Sequence, residues 1–83
     1  MTEEAAVRIQ VLGTGCAKCK QLTANAERAV AELGLAVPVE KVEDIREIMK
    51  FHVMSTPALV VDGKVRATGR VLGPAEVKVL LQG

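Results

Sequence analysis

Two cysteines, Cys16 and Cys19, are the residues of this 83-residue sequence best suited to chemistry. They are three positions apart, so on the first turn of a helix they would be neighbours able to close a small disulfide loop. The thiolate form of cysteine attacks disulfides and also binds soft metals. The pair therefore predicts either thiol–disulfide exchange or soft-metal binding.

The surroundings of the pair predict that the two thiols differ. The Gly13-Thr14-Gly15 segment breaks a strand pattern, and helical periodicity begins at Cys16. The unpaired N–H groups and the dipole at a helix N-terminus stabilise an anion there. We therefore expect Cys16 to be the attacking nucleophile and Cys19, one turn deeper, to be the resolving thiol. The opposing interpretation is a pair of reduced cysteines that serve as small core residues.

The hydrophobic pattern predicts an α/β protein with seven elements in the order β-α-β-α-β-β-α. The predicted strands are residues 7–12, 37–42, 58–61 and 64–68, and the predicted helices run from Cys16 to a left-handed Gly34, over residues 44–51, and from Pro74 to Leu81. The first β-α-β unit implies a parallel strand pair, and the Asp62-Gly63 turn adds an antiparallel hairpin. The result is one domain over residues 1–83, a mixed four-stranded sheet with helices on both faces.

Several local features accompany these elements. Alternation in the first strand places Val7, Ile9 and Val11 on one face and Arg8 and Gln10 on the other. Pro38 favours an edge position for the second strand. In the second helix, Asp44 is expected to form a capping box with Glu47, and the apolar stripe consists of Ile45, Ile48 and Met49. A charged cluster is interpreted as a solvated rim: Glu40, Lys41, Glu43, Asp44 and Arg46.

Composition narrows the functional classes. The formal net charge of +1 provides no field that would steer nucleic acid or a membrane surface, and Phe51 is the only aromatic residue. No apolar run approaches the roughly 20 residues of a membrane span. Glu3 and Glu4 follow Thr2 and make this segment acidic, whereas a signal peptide has a basic start. We expect a monomer that resides in the cytoplasm. In that compartment a close cysteine pair is redox-active or metal-binding rather than structural.

The sequence resembles the thioredoxin-like superfamily, in particular the short redox-active disulfide proteins of bacteria and archaea. The matching motifs are Gly13-Thr14-Gly15-Cys16-Ala17-Lys18-Cys19, Ser55-Thr56-Pro57-Ala58 and Asp62-Gly63, with the same element order over about residues 7–81. The resemblance implies a minimal thioredoxin-like fold and a thiol–disulfide oxidoreductase or small redox carrier. It also implies that Thr56-Pro57 is a cis peptide facing the cysteines and that the Thr56 backbone pairs with an extended substrate.

The resemblance further implies what the protein works with. Its substrates would be protein or small-molecule disulfides and dithiols, and a flavoprotein like thioredoxin reductase would lie upstream. Gly15, Thr56 and Pro57 would contact the substrate, and no bound cofactor or resident metal is expected. The sequence departs from thioredoxin at Gly15, which replaces an aromatic residue, and at Gln10, which stands near the place of a buried acid. Gly69-Arg70 likewise replaces the paired glycines of glutaredoxins.

A soft-metal carrier is the alternative function. Copper-carrying domains of the ferredoxin-like type also place Cys-x-x-Cys after a first strand, and two thiolates suit Cu(I). Those domains pass from the second strand directly into a hairpin strand, whereas residues 44–51 predict a helix here. They also usually carry a methionine before the first cysteine, where this sequence has Thr14-Gly15. A four-ligand zinc site would need more than two cysteines and the single His52.

Overall fold

A computed structural model describes residues 8–15, 17–35 and 37–82. The elements are β1 (Ile9–Leu12), α1 (Ala17–Glu32), β2 (Val39–Val42), α2 (Ile45–Met49), β3 (Ala58–Val61), β4 (Lys64–Thr68) and α3 (Pro74–Gln82). The predicted order is confirmed, and β3, β4 and the start of α3 fall where the sequence placed them. The second strand begins two residues later than predicted. Val7 and Cys16 lie outside the described residues.

The four strands form one mixed sheet in the order β2-β1-β3-β4. β1 pairs with β2 in parallel and with β3 in antiparallel fashion, and the β3–β4 hairpin completes the sheet. Leu12 lies opposite Val42, and the Gly13 N–H extends this pairing by donating to the Val42 carbonyl at 2.9 Å. β2 is an edge strand, as Pro38 predicted. The turn residues Asp62 and Gly63 both have positive φ, 53° and 80°.

Helices cover both faces of the sheet and bury an aliphatic core. On one face, α1 and α3 pack over β1 and β3, and this larger cluster contains Ile9, Val11, Leu22, Ala26, Ala29, Val30, Leu59, Val61, Leu72 and Val77. On the other face, Ile48 of α2 packs on Leu12, Ala58 and Val60, with Phe51 partly buried beside them. β1 is therefore central and covered on both sides. For that reason even Gln10, on the polar face of the predicted alternation, is only 7% exposed.

The second helix corrects two local predictions. Asp44 does cap α2, but its Oδ1 accepts from the N–H of Arg46 at 2.8 Å, and the Glu47 carboxylate accepts instead from Lys50 Nζ at 3.0 Å. The predicted apolar stripe is also wrong, because Ile45 and Met49 are 56% and 65% exposed. α2 has only five residues, so a single position, Ile48, points into the core.

The ends of the other helices follow the prediction. α1 terminates at Gly34, which has φ +69°, and the Leu35 N–H donates to the Val30 carbonyl. This is the hydrogen-bond pattern of a helix closed by a left-handed residue. α3 begins at Pro74, directly after Gly73. None of the helices within the described ranges is both long and apolar enough to cross a lipid bilayer.

Candidate active site

The predicted site lies at the C-terminal end of β1, where the chain turns into α1. Cys19 is the third residue of α1 and is 5% exposed, in agreement with the expectation that it is buried. Four residues further along the helix, the hydroxyl of Thr23 donates to the Cys19 carbonyl at 2.9 Å. Cys16 lies outside the described residues, so its role and its bond to Cys19 stay predictions.

Gly13 lies close to both Cys19 and Pro57. A Cβ placed on Gly13 would overlap the Sγ of Cys19, and it would lie 3.1 Å from the Cys19 Cβ and 3.9 Å from the Pro57 Cα. Because the glycine has no side chain, the thiol group occupies that space. The fold thus brings the second cysteine and the predicted proline close to the same glycine.

The Thr56-Pro57 peptide is cis, as the resemblance implied. Pro57 is fully buried, whereas Ser55 and Thr56 on the same loop are exposed. Met54, which directly precedes Ser55, is 96% exposed. The loop therefore exposes residues 54–56 to solvent, next to a proline that is buried.

Gly69 holds this loop in place, a role that sequence reasoning missed. Its N–H donates to the Pro57 carbonyl at 2.8 Å, its φ is +67°, and a Cβ on it would lie 3.1 Å from the Ser55 Cβ. The signal was present in the hairpin. Since Ala58 pairs with Thr68, the residues just outside that pair, Pro57 and Gly69, must also meet.

Gly15 sits on the other side of the site, close to a carboxylate. Its φ is +89°, which favours glycine, and a Cβ on it would lie 3.4 Å from Glu43 Oε2. Sequence analysis assigned Glu43 to a solvated rim. The missed signal was topological: the carboxyl ends of parallel strands meet at one edge of a sheet, so the residue after β2 lies near the turn after β1.

A pocket of about 170 Å³ opens beside Cys19. It lies between α1 and the ends of β1 and β2, and it combines small or apolar groups with four charged side chains. Its lining includes Gly13, Gly15, Cys19, Thr23, Lys20, Glu27, Lys41 and Glu43. The pocket therefore contains polar groups and is large enough to hold water against the site.

His52 stands apart from the cysteine site. It is exposed, just beyond α2, and has φ +58°. Among residues 8–15, 17–35 and 37–82, no group of three or more His, Cys, Asp or Glu side chains could hold a metal ion.

Residues 7–82 match the family model of the thioredoxin domain. The chain belongs to this thioredoxin family. A thioredoxin of Methanothermobacter thermautotrophicus is 40% identical over 75 residues, which cover 90% of this chain and 97% of that protein. A thioredoxin of Methanocaldococcus jannaschii is 38% identical over 72 residues, which cover 87% and 83% of the two chains. These similarities support thiol–disulfide redox chemistry in general.

Proposed function

We propose that this thioredoxin-family protein is a thiol–disulfide oxidoreductase that carries electrons through a reversible Cys16–Cys19 disulfide. One observation carries the proposal: Cys19, buried on the opening turn of α1, fills the space beside Gly13 that faces the cis Pro57. Family membership and two relatives named thioredoxin support the same chemistry. The protein would act as a single domain, a monomer in the cytoplasm.

The reaction begins at Cys16. Its thiolate attacks one sulfur of a substrate disulfide, that disulfide bond breaks, and one substrate sulfur leaves as a thiolate. The Cys19 thiol then loses its proton and attacks the Cys16 sulfur. The mixed disulfide breaks, the second substrate sulfur leaves, and a Cys16–Cys19 disulfide forms. The substrate gains two electrons in this reaction. An upstream dithiol, that of a flavoprotein like thioredoxin reductase, then reduces the Cys16–Cys19 disulfide again.

The loop before β3 provides the proposed substrate surface. Thr56 is exposed beside the buried Pro57, and no hydrogen bond to its backbone occurs within the described part of the chain. An extended substrate segment could pair with that backbone as an added strand. On the other side of the cysteines, Gly15 has no side chain to obstruct the approach. Met54 adds an exposed apolar group at the edge of this surface.

Trapping the first intermediate tests the proposal. A Cys19→Ser variant mixed with oxidised glutathione should accumulate one glutathione adduct on Cys16, visible by mass spectrometry after an acid quench. The wild type should pass through this adduct to an internal disulfide and lose two hydrogen atoms. A matched Cys16→Ser variant should form the adduct much more slowly, because Cys19 is buried. Lack of any adduct in Cys19→Ser, or equal reactivity of the two variants, would contradict the proposed roles.

The copper-carrier alternative makes the opposite prediction. A helix between the second and third strands is the feature expected to distinguish a thioredoxin-like redox protein from a ferredoxin-like copper carrier. The helix α2 lies at this place, between β2 and β3. If the alternative were correct, the reduced wild type would bind one Cu(I) tightly and would not reduce disulfides.

A further inference from the structure

The resolving step needs a group that accepts the proton of Cys19. Cys19 is only 5% exposed, and it lines the pocket beside α1, so an acceptor can reach its thiol from that pocket. Gln10 is the buried polar residue of β1, and its amide does not take up a proton near neutral pH. The acceptor must come from another part of the site.

The register of β1 and β2 brings Glu43 to the site. Leu12 pairs with Val42, and the Gly13 N–H donates to the Val42 carbonyl at 2.9 Å. The next residue, Glu43, is thereby fixed opposite the turn that leads to the cysteines. Its Oε2 lies where it would be 3.4 Å from a Cβ on Gly15, the residue directly before Cys16.

The pocket connects Glu43 with Cys19. Both residues line it, and its volume of about 170 Å³ is many times the roughly 10–15 Å³ needed to hold a water molecule. Three other charged groups face the same space: Lys20 and Glu27 from α1, and Lys41 from β2. An ionised carboxylate can accept a proton, whereas a lysine ammonium cannot.

We propose that Glu43 is the proton acceptor for Cys19 in the resolving step, acting through water held in this pocket. The inference rests on the proposed function and deepens it. The proton passes from the Cys19 thiol through water to the Glu43 carboxylate as the Cys19 sulfur attacks Cys16. When a dithiol later reduces the internal disulfide, a proton returns along the same route to the departing Cys19 thiolate.

Glu27 is the other carboxylate that lines the pocket, and its position is less suitable. It lies eight residues after Cys19 on α1, which corresponds to about 12 Å along the helix axis. Glu43, in contrast, lies beside Gly15, at the end of α1 that carries Cys19. Glu27 therefore offers a matched control with the same charge, in the same pocket, on a different element.

The test is a Glu43→Gln variant, which keeps the size of the side chain but cannot accept the proton. With oxidised glutathione and an acid quench, we expect resolution of the Cys16 adduct to slow by about tenfold or more, so that the adduct accumulates. A well-placed general base contributes about 100-fold at the lower end of its usual range. The alkylation rate of Cys16 should stay within about threefold of the wild type. Glu27→Gln should leave both rates unchanged.

A chemical rescue separates proton transfer from a structural role. In Glu43→Ala, resolution should be slow and should recover as acetate is added, since a small carboxylate can enter the open pocket. Resolution at the wild-type rate in Glu43→Gln, equal slowing by Glu27→Gln, or failure of acetate to rescue Glu43→Ala would each overturn the inference.

Failure of this inference differs from failure of the proposed function. If Cys19→Ser forms the Cys16 adduct but Glu43→Gln resolves it normally, only the role of Glu43 is wrong. If no adduct forms even in Cys19→Ser, the oxidoreductase proposal falls and the inference falls with it.

Discussion

Gly13 and Cys19 are packed so closely that the glycine position has no room for a side chain. The space that a Cβ on Gly13 would take is filled by the Sγ of Cys19, and the Cα of Pro57 lies 3.9 Å from that Cβ position. The position of the Cys19 sulfur therefore depends on the absence of one methyl group at the end of β1.

The first prediction follows from this contact. Gly13→Ala should lower the free energy of unfolding by about 1–3 kcal/mol, the usual cost of overpacking a well-packed interior, and should slow the resolving step because the Cys19 sulfur must move. Denaturant unfolding and the glutathione quench assay measure the two effects. Gly73→Ala is the control, since a Cβ there meets nothing closer than 3.9 Å, and it should resolve the adduct normally. Normal resolution in Gly13→Ala would contradict the proposed packing constraint on Cys19.

The second prediction concerns the contact between Gly69 and the loop that contains Pro57. Gly69→Ala places a Cβ at φ +67° and 3.1 Å from the Ser55 Cβ, so we expect a loss of about 1–2 kcal/mol in the free energy of unfolding. We also expect a raised KM for an extended peptide disulfide, because the loop is displaced.

The double variant Ser55→Gly/Gly69→Ala separates the two causes. Removing the Ser55 side chain relieves the contact but not the backbone strain, so part of the stability and most of the KM should return. A double variant no better than Gly69→Ala would show that the Ser55 contact is unimportant. Ser55→Gly alone serves as the reference.

The third prediction tests Met54 as part of the substrate surface. Met54→Ser should change the free energy of unfolding by no more than about 0.5 kcal/mol, because the side chain is 96% exposed. It should raise the KM for an extended peptide disulfide about fivefold, equivalent to about 1 kcal/mol of lost apolar contact. The rate with a small disulfide such as oxidised dithiothreitol should not change. The control is Val79→Ser, at a residue of α3 that is 66% exposed, and it should leave the KM for the peptide disulfide unchanged. An equal rise in KM in this control would refute the assignment of Met54 to the substrate surface.

Most of the architecture could be predicted because it depends on short-range signals. The Asp62-Gly63 turn, the left-handed Gly34 and the proline that opens α3 each carry a local conformational preference, and the structure confirms all three. The order of elements followed from hydrophobic periodicity, and the edge position of β2 followed from Pro38. These features need no knowledge of distant contacts.

The parts that could not be predicted depend on which elements meet. The five-residue length of α2 leaves Met49 exposed, although periodicity alone favoured its burial. Gln10 is buried because helices cover β1 on both faces. Glu43 and Gly69 reach the site through strand register, which the sequence does not state residue by residue. The turn between β1 and α1 could therefore be predicted from the sequence, while the groups that surround it emerged only from the sheet.

The fourth prediction concerns the dependence of stability on pH at the contact between α1 and α3. Glu32 accepts from Arg28 Nε at 3.0 Å and from Lys78 Nζ at 3.1 Å, and these two cations, Arg28 first, lower the pKa of Glu32 from its usual 4.5. A carboxyl whose pKa is lower in the folded state adds stability above its unfolded pKa and loses it as pH falls through the folded value.

Glu32→Gln should therefore unfold at a slightly lower temperature than the wild type at pH 7, and the difference should vanish as the pH is lowered well below 4.5. The groups are exposed, so the effect should be small and should shrink with added salt. Thermal unfolding followed by circular dichroism across this range measures it. The control is Glu27→Gln, which removes a carboxylate of the same helix that makes no ion pair among the described residues and should leave the unfolding temperature at pH 7 unchanged. A Glu32→Gln difference that persists in acid would mean that packing, and not charge, accounts for the contribution of Glu32.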